Sequence, residues 1–168
     1  QPLQGLTVVA GLLNNGKMLQ PTFLRRTQEE ADAMAQQIVS ESTSQQMRYL
    51  FRLNAEKGSA SKANVPGYRV GGKTGTAEKV VGGRYSGNHR LTSFIGAFPS
   101  DDPQYAMIVM LDEPKAVAGT FGFATAGWNA VPTAGKIIER IAPLLNLEPE
   151  LTAEDLATLA KAEAKQKP

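Results

Sequence analysis

Leu3, Leu6, Val9, Ala10 and Leu13 recur at the spacing that places side chains on one face of a helix. Asn14-Asn15-Gly16 follows with residues that tolerate the left-handed conformation ending a helix. The sequence thus opens inside a helix, and Gln1-Pro2-Leu3-Gln4 reads like a cut through a larger domain. Residues 17 to 27, with Pro21 and the pair Arg25-Arg26, read as extended. A polar stretch rich in Glu and Gln leads to a second helix, capped within Ser42-Thr43-Ser44, buried through Met47, Leu50 and Phe51, and ended by Gly58. From Gly67 the pattern turns glycine-rich and extended, which predicts a strand over about 68–79. Leu91 to Phe98 and Tyr105 to Leu111 are β-rich runs joined by Pro99-Ser100-Asp101-Asp102-Pro103-Gln104, strong turn chemistry that predicts an antiparallel hairpin.

Glu113 to Trp128 is loaded with Gly, Ala and aromatic residues and reads as a surface connection pinned by Phe121, Phe123 and Trp128 rather than as a substrate contact. Pro132 suits the first turn of a helix over about 132–145, whose Ile137, Ile138, Ile141, Leu144 and Leu145 form one apolar stripe that needs a sheet to cover. The expected fold is therefore α/β, with a largely antiparallel sheet and this helix on one face. Residues 148–168 differ in character: Thr152 and Asp155 form a capping box, Leu151 and Leu156 a hydrophobic staple, and lysines gather at 161, 165 and 167. A short, mostly solvated helix is expected there.

Composition narrows the function. The 168 residues are 42% apolar and 20% charged, enough for a packed core. Eighteen basic against 16 acidic residues give +2, far from the basic face of a nucleic-acid binder, so no nucleic-acid partner is expected. No apolar run of about 18 residues is present, and the first residues lack a signal pattern. The absence of cysteine rules out disulfides, thiolate metal sites and a cysteine nucleophile. His89 is the only histidine and lies in a polar Gly-Asn-His-Arg stretch, so a Ser-His-Asp triad has little support.

Gly67-Tyr68-Arg69-Val70-Gly71-Gly72-Lys73-Thr74 satisfies the phosphate-loop pattern G-x-x-x-x-G-K-[ST] letter for letter, and Met107 to Leu111 followed by Asp112-Glu113 imitates the strand and carboxylate that hold magnesium. Such a loop needs a strand before it and a helix starting at its Lys-Thr, because the phosphates sit on that helix's N–H groups. Upstream lies the loop-like Ser-Ala-Ser-Lys-Ala-Asn-Val-Pro, and downstream Gly75 and Gly82-Gly83 oppose a helix. A nucleotide-binding protein therefore stands as the weaker alternative.

The other reading places Lys73-Thr74-Gly75-Thr76 on an edge strand beside a catalytic cleft. Together with Pro2-Leu3-Gln4, Asn15-Gly16, Pro21 to Arg26, Val65 to Ala77 and Thr92-Ser93-Phe94-Ile95-Gly96-Ala97-Phe98-Pro99, it gives the sequence a close resemblance to class B penicillin-binding proteins over roughly residues 2 to 147. These are peptidoglycan D,D-transpeptidases, and the likeness is greatest to the division-type enzymes. The resemblance implies a β-lactamase/penicillin-binding transpeptidase-like α+β fold of which only the C-terminal half is present, spanning residues 1–147 with a charged helical tail over 148–168. It implies that Lys73 supplies a fixed positive charge, that Thr74 and Thr76 bring hydroxyls, and that Gly75 leaves the strand clear for a substrate lying alongside. The same resemblance implies that Lys73 and Thr76 carry the catalytic roles, with the Thr76 hydroxyl expected to hold the terminal D-Ala carboxylate and its backbone N–H expected to be an oxyanion-hole donor.

The implied ligands are D-Ala-D-Ala stem peptides and β-lactams, with divisome or elongasome proteins as candidate partners and no cofactor or metal. The implied location is the periplasmic face of the cytoplasmic membrane, with the anchor elsewhere. Two further family motifs, S-x-x-K with the nucleophile and S-x-N, belong upstream. Ser59-Ala60-Ser61-Lys62 matches the first in letters but lies between Gly58 and Pro66 rather than at a helix start, and Ser86-Gly87-Asn88 matches the second but follows the Lys-Thr-Gly strand. Both are read as loop sequence. The expected partner is then the upstream half of the same transpeptidase, without which the chain is inactive. A non-catalytic module that grips peptidoglycan peptides or a division partner is the competing non-enzymatic reading.

Overall fold

A computed structural model describes residues 1–166; Lys167 of the expected lysine cluster lies outside the described residues. The opening helix, α1 (Pro2–Leu13), begins on a proline in its first turn and ends where Asn15 and Gly16 take positive φ. Only Lys17–Met18 (β1) of the stretch read as extended is a strand, and it pairs with Gln36–Gln37 (β2). Between them the polar stretch forms a helix that the hydrophobic pattern gave no reason to expect, α2 (Gln28–Met34). Its signal was a capping box rather than an apolar stripe: Thr27 Oγ1 accepts from Glu30 N–H and the Glu30 carboxylate accepts from Thr27 N–H. The long helix α3 (Glu41–Lys57) starts earlier than the Ser42 to Ser44 region, at Ser40, whose hydroxyl accepts from Thr43 N–H, and it ends at Gly58.

The sheet is antiparallel in the order β3-β4-β5, with β3 (Gly71–Val81), β4 (Arg84–Phe98) and β5 (Tyr105–Asp112). The β4–β5 hairpin stands as expected. The segment before it differs, because β3 and β4 continue through residues 79 to 86 as a tight hairpin whose turn, Gly82-Gly83, has both residues at positive φ. Alternation along β4 and β5 sorts the core. Phe94, Phe98 and Val109 join one cluster, with Tyr105, Met107 and Leu111 packed against it, whereas Ala97 and Ala106 face a second cluster with Leu13, Val9, Met47 and Phe51. Helix α4 (Ala130–Ile141) covers the first face through Ala130, Val131, Ala134 and Ile138, while α1 and α3 cover part of the other.

Helix α4 stops at Ile141: Ala142 keeps helical backbone angles and donates to the Ile138 carbonyl, but Pro143 has no N–H to continue the ladder, and a 3-10 turn, Pro143–Leu145, follows. This leaves Leu144 at 81% exposure, outside the apolar stripe assigned to it. The tail helix α5 (Ala153–Gln166) carries the expected cap, with Asp155 N–H donating to Thr152 Oγ1 and Thr152 N–H to the Asp155 carboxylate. Leu151 and Leu156 remain exposed.

Candidate active site

Lys73-Thr74-Gly75-Thr76 lies inside β3, and no helix starts at Thr74. The anion-binding helix terminus that a phosphate loop requires is missing from this place, and the nucleotide reading fails with it. β3 is instead an edge strand, paired to β4 on one side only. Successive residues of an antiparallel strand turn their N–H and C=O alternately toward and away from the partner. Gly72 turns its carbonyl away from β4, where Asn54 Nδ2 donates to it at 2.7 Å, and Arg52 donates to the Val70 carbonyl at 2.9 Å. Helix α3 thus closes the edge as far as residue 72. Thr74 and Thr76, in phase with Gly72, point their backbone groups to the same outer side, where the edge lies open.

A groove of about 430 Å³ runs along that opening, lined by Ser59, Lys62, Thr74, Thr76, Thr125 and Trp128 among others. A second hollow, between α1 and the start of β5, is smaller, about 250 Å³, and holds none of the motif residues. Thr74 Oγ1 is 2.9 Å from Ser59 Oγ. Thr76 Oγ1 accepts from the Ala126 N–H at 3.1 Å, leaving its own proton free to donate into the groove. Lys73 is exposed and not among the lining residues; its ammonium donates to the Thr74 carbonyl at 2.8 Å. Gly75 fits a close cross-strand approach, since a Cβ there would sit 2.5 Å from Ser93 Oγ.

The structure brings two unexpected segments to the groove. Ser59 to Lys62, read from its flanks as loop, is indeed loop leading into a 3-10 turn (Ser61–Ala63), yet it forms the wall opposite the strand. Gly135 of α4 makes this possible: a Cβ there would meet the Lys62 carbonyl at 2.7 Å, so the glycine lets the helix press against that wall. The second segment is the aromatic loop. Trp128 stacks on Phe123 and meets Phe121 edge-on, as pinning required, but Thr125 to Trp128 also line the groove and Lys62 Nζ sits 3.3 Å over the Trp128 ring. The loop is therefore more than a surface connection. Ser86-Gly87-Asn88 is strand rather than loop, in β4, where Ser86 Oγ lies 2.8 Å from His89 Nδ1 outside the groove.

Two ion-pair clusters bracket β3. At its head Arg69, itself at φ +42°, binds Asp101 at 2.7 Å and Glu150 at 2.5 Å, and the paired carboxylates hold its pKa above the ordinary guanidinium value, the Asp101 hydrogen bond most of all. At the bulge between Glu78 and Lys79, the Lys79 ammonium bonds Glu113 at 2.9 Å and Asp112 at 3.0 Å, and these bonds push its pKa up, Glu113 first. No cluster of His, Cys, Asp and Glu suited to a metal occurs among the described residues.

Residues 1–139 match the family described as penicillin binding protein transpeptidase domain. The chain is 40% identical over 170 residues to the "Probable peptidoglycan D,D-transpeptidase FtsI" of Caulobacter vibrioides and 36% identical over 157 residues to the stage V sporulation protein D of Bacillus subtilis. These alignments cover 96% and 88% of this chain but only 28% and 24% of the relatives. Among solved structures, the apo transpeptidase domain of Burkholderia pseudomallei penicillin-binding protein 3 superposes with a TM-score of 0.75 at 29% identity, covering 89% of this chain and 44% of that one. An antiparallel sheet with flanking helices, the Lys-Thr-Gly-Thr edge and these matches agree: the chain belongs to the penicillin-binding protein transpeptidase domain family.

Proposed function

We propose that this chain is the C-terminal portion of a serine D,D-transpeptidase that cross-links peptidoglycan stem peptides and is acylated by penicillin, with the serine nucleophile on an upstream part of the same protein. The observation that carries the reading is the open edge at Thr74 and Thr76 beside a groove, immediately after the stretch that α3 closes. A peptide or β-lactam adds to such an edge as an extra strand, main chain to main chain. The Thr76 hydroxyl, with its proton free, donates to the substrate's terminal carboxylate, and the outward N–H of Thr76 supports the developing oxyanion. Lys73 and Lys62 add positive charge near an anionic ligand.

In the acyl transfer the upstream serine hydroxyl attacks the penultimate D-Ala carbonyl while its proton passes to a neighbouring lysine amine. The tetrahedral intermediate collapses, the amide C–N bond breaks, and the terminal D-Ala leaves carrying a proton. An amine of a second stem peptide then attacks the acyl-serine, forming the cross-link and restoring the hydroxyl. No helix among the described residues is long and apolar enough to cross a membrane. A site at the extracytoplasmic face, and any contact to division or elongation proteins, rest on the transpeptidase reading alone.

Fluorescent penicillin tests the reading. The chain alone should remain unlabelled, and the chain co-expressed with, or joined to, its upstream half should acquire a covalent label on the upstream serine. Labelling of the isolated chain at Ser59 or Ser86 would overturn the assignment of the nucleophile, and no labelling of the joined protein would overturn the transpeptidase reading.

A further inference from the structure

We infer that Asn54 is a positioning residue for this active site: its amide couples the head of the Lys-Thr-Gly-Thr strand to the opposite wall of the groove. The inference rests on the transpeptidase reading and extends it to a residue outside every motif. Asn54 lies in the last turn of α3, and its two amide ends do different work. Nδ2 donates to the Gly72 carbonyl at 2.7 Å, one residue before Lys73. Oδ1 accepts from the Ser59 backbone N–H at 3.2 Å, and Ser59 Oγ approaches it at 3.4 Å.

One side chain therefore holds both the strand and the segment facing it, and Ser59 in turn stands 2.9 Å from the Thr74 hydroxyl. The local backbone is shaped around this side chain. A Cβ at Gly58 would lie 2.2 Å from Asn54 Oδ1 and 2.9 Å from the Asn54 carbonyl oxygen, so only glycine there leaves the amide its place. An amide is the group that fits, because it presents a donor and an acceptor from one planar unit. Aspartate offers no donor to Gly72 when ionised, and leucine offers neither bond.

The bond to Gly72 also marks where the closed part of the edge ends. Release of that carbonyl frees the strand to shift against α3, and the first groups displaced are the outward N–H and hydroxyl of Thr74 and Thr76. Donors aimed at a developing oxyanion lose effect with small displacements, so the acylation step suffers more than initial binding.

The test uses the protein joined to its upstream half, with Asn54→Ala, Asn54→Asp and Asn54→Leu. Stopped-flow labelling with a fluorescent penicillin separates the dissociation constant of the first complex from the acylation rate constant, and thermal melting runs alongside. Each substitution should lower the acylation rate constant about tenfold to a hundredfold while changing the dissociation constant less than threefold, on the order of what a sub-ångström to ångström misplacement costs. Acylation rates within a factor of two of the unsubstituted protein would overturn the inference alone, as would a dissociation constant that rises in step with the loss. Failure of the unsubstituted protein to label would overturn the transpeptidase reading and this inference together.

Discussion

Thr76 has one hydroxyl with two partners to satisfy, and that decides what its replacement should do. The oxygen accepts from Ala126 N–H on the aromatic loop, and in the proposed function the proton goes to a ligand carboxylate. Thr76→Val removes both bonds without changing volume, leaving a partly buried N–H and a desolvated carboxylate unpaired. Hydrogen bonds to charged groups are worth about 1.5–3 kcal/mol, so acylation of the joined protein should fall by roughly ten- to a hundredfold. Thr76→Ser should retain most of the rate; equal rates for the valine and parent proteins would remove Thr76 from the site. Lys73→Ala should also slow acylation, with little change in melting temperature because the side chain is exposed and touches only the Thr74 carbonyl. A large loss of melting temperature would make Lys73 structural. The place of Lys73 and Thr76 on a strand was legible from the motif, whereas the approach of Ser59 and Asn54 to that strand was not: a serine after a glycine and an asparagine in a helix carry no signal until folding brings them together.

Elements that reach across the fold hold the strand at both ends. The turn at Gly67–Arg69 is clasped by the segment leading to α5: Glu150 N–H donates to the Gly67 carbonyl, Pro149 lies against Gly67, and the Glu150 carboxylate pairs with Arg69. The tail thus has a fixed point on the motif strand's approach despite its mostly solvated helix. Partial burial of Asp101 raises its pKa, but the hydrogen bond from Arg69, the backbone N–H groups of Asp101 and Asp102 and the Arg69 charge together hold it below the usual carboxylate range. A depressed folded pKa contributes stability that is present above the unfolded value, about 3.9, and lost as pH falls through the folded value. Asp101→Asn should therefore lower the melting temperature slightly at neutral pH, by little given the exposure of the pair, and converge on the parent protein below about pH 4, which flattens the acid limb. An unaltered acid limb would show that the clasp contributes nothing. Helix α2 offers a separate check. With its capping box as chief local support, Thr27→Ala should cost about 1 kcal/mol of local stability, read as faster amide exchange across Gln28–Met34. Exchange unchanged in that segment would assign its stability to packing.

At the scale of the molecule, one face of the sheet is finished and the other is not. Helix α4 buries Phe94, Phe98 and Val109, but on the opposite face Leu91, Ile95, Ile108 and Met110 are only half-buried beyond the reach of α1 and α3. Exposed Leu3 and Val8 on α1, and Tyr49 and Leu50 on α3, add apolar surface. A protein with so much uncovered apolar area associates or binds hydrophobic dyes. The isolated chain should bind such a dye and self-associate in sedimentation experiments, and joining it to its upstream half should suppress both. A monomeric, dye-silent chain would show that the half-covered sheet is sufficient by itself.

By itself the sequence determined the types of the elements with a clear apolar or turn pattern, the strand that carries Lys73 to Thr76, the β4–β5 hairpin and the family, because apolar periodicity, turn residues and motif spacing act over a few neighbouring residues. It left α2 hidden because that helix buries nothing, and it concealed the continuation of β3 and β4 through residues 79 to 86 because glycines and polar residues there lack an apolar alternation. Only the tertiary structure decided that the edge opens at Thr74, that Ser59 and Lys62 stand opposite it, and that the aromatic loop reaches Thr76. Those facts depend on contacts between segments 15 to 50 residues apart, between Ser59 and Thr74 and between Thr76 and Ala126, and no local pattern encodes such a distance.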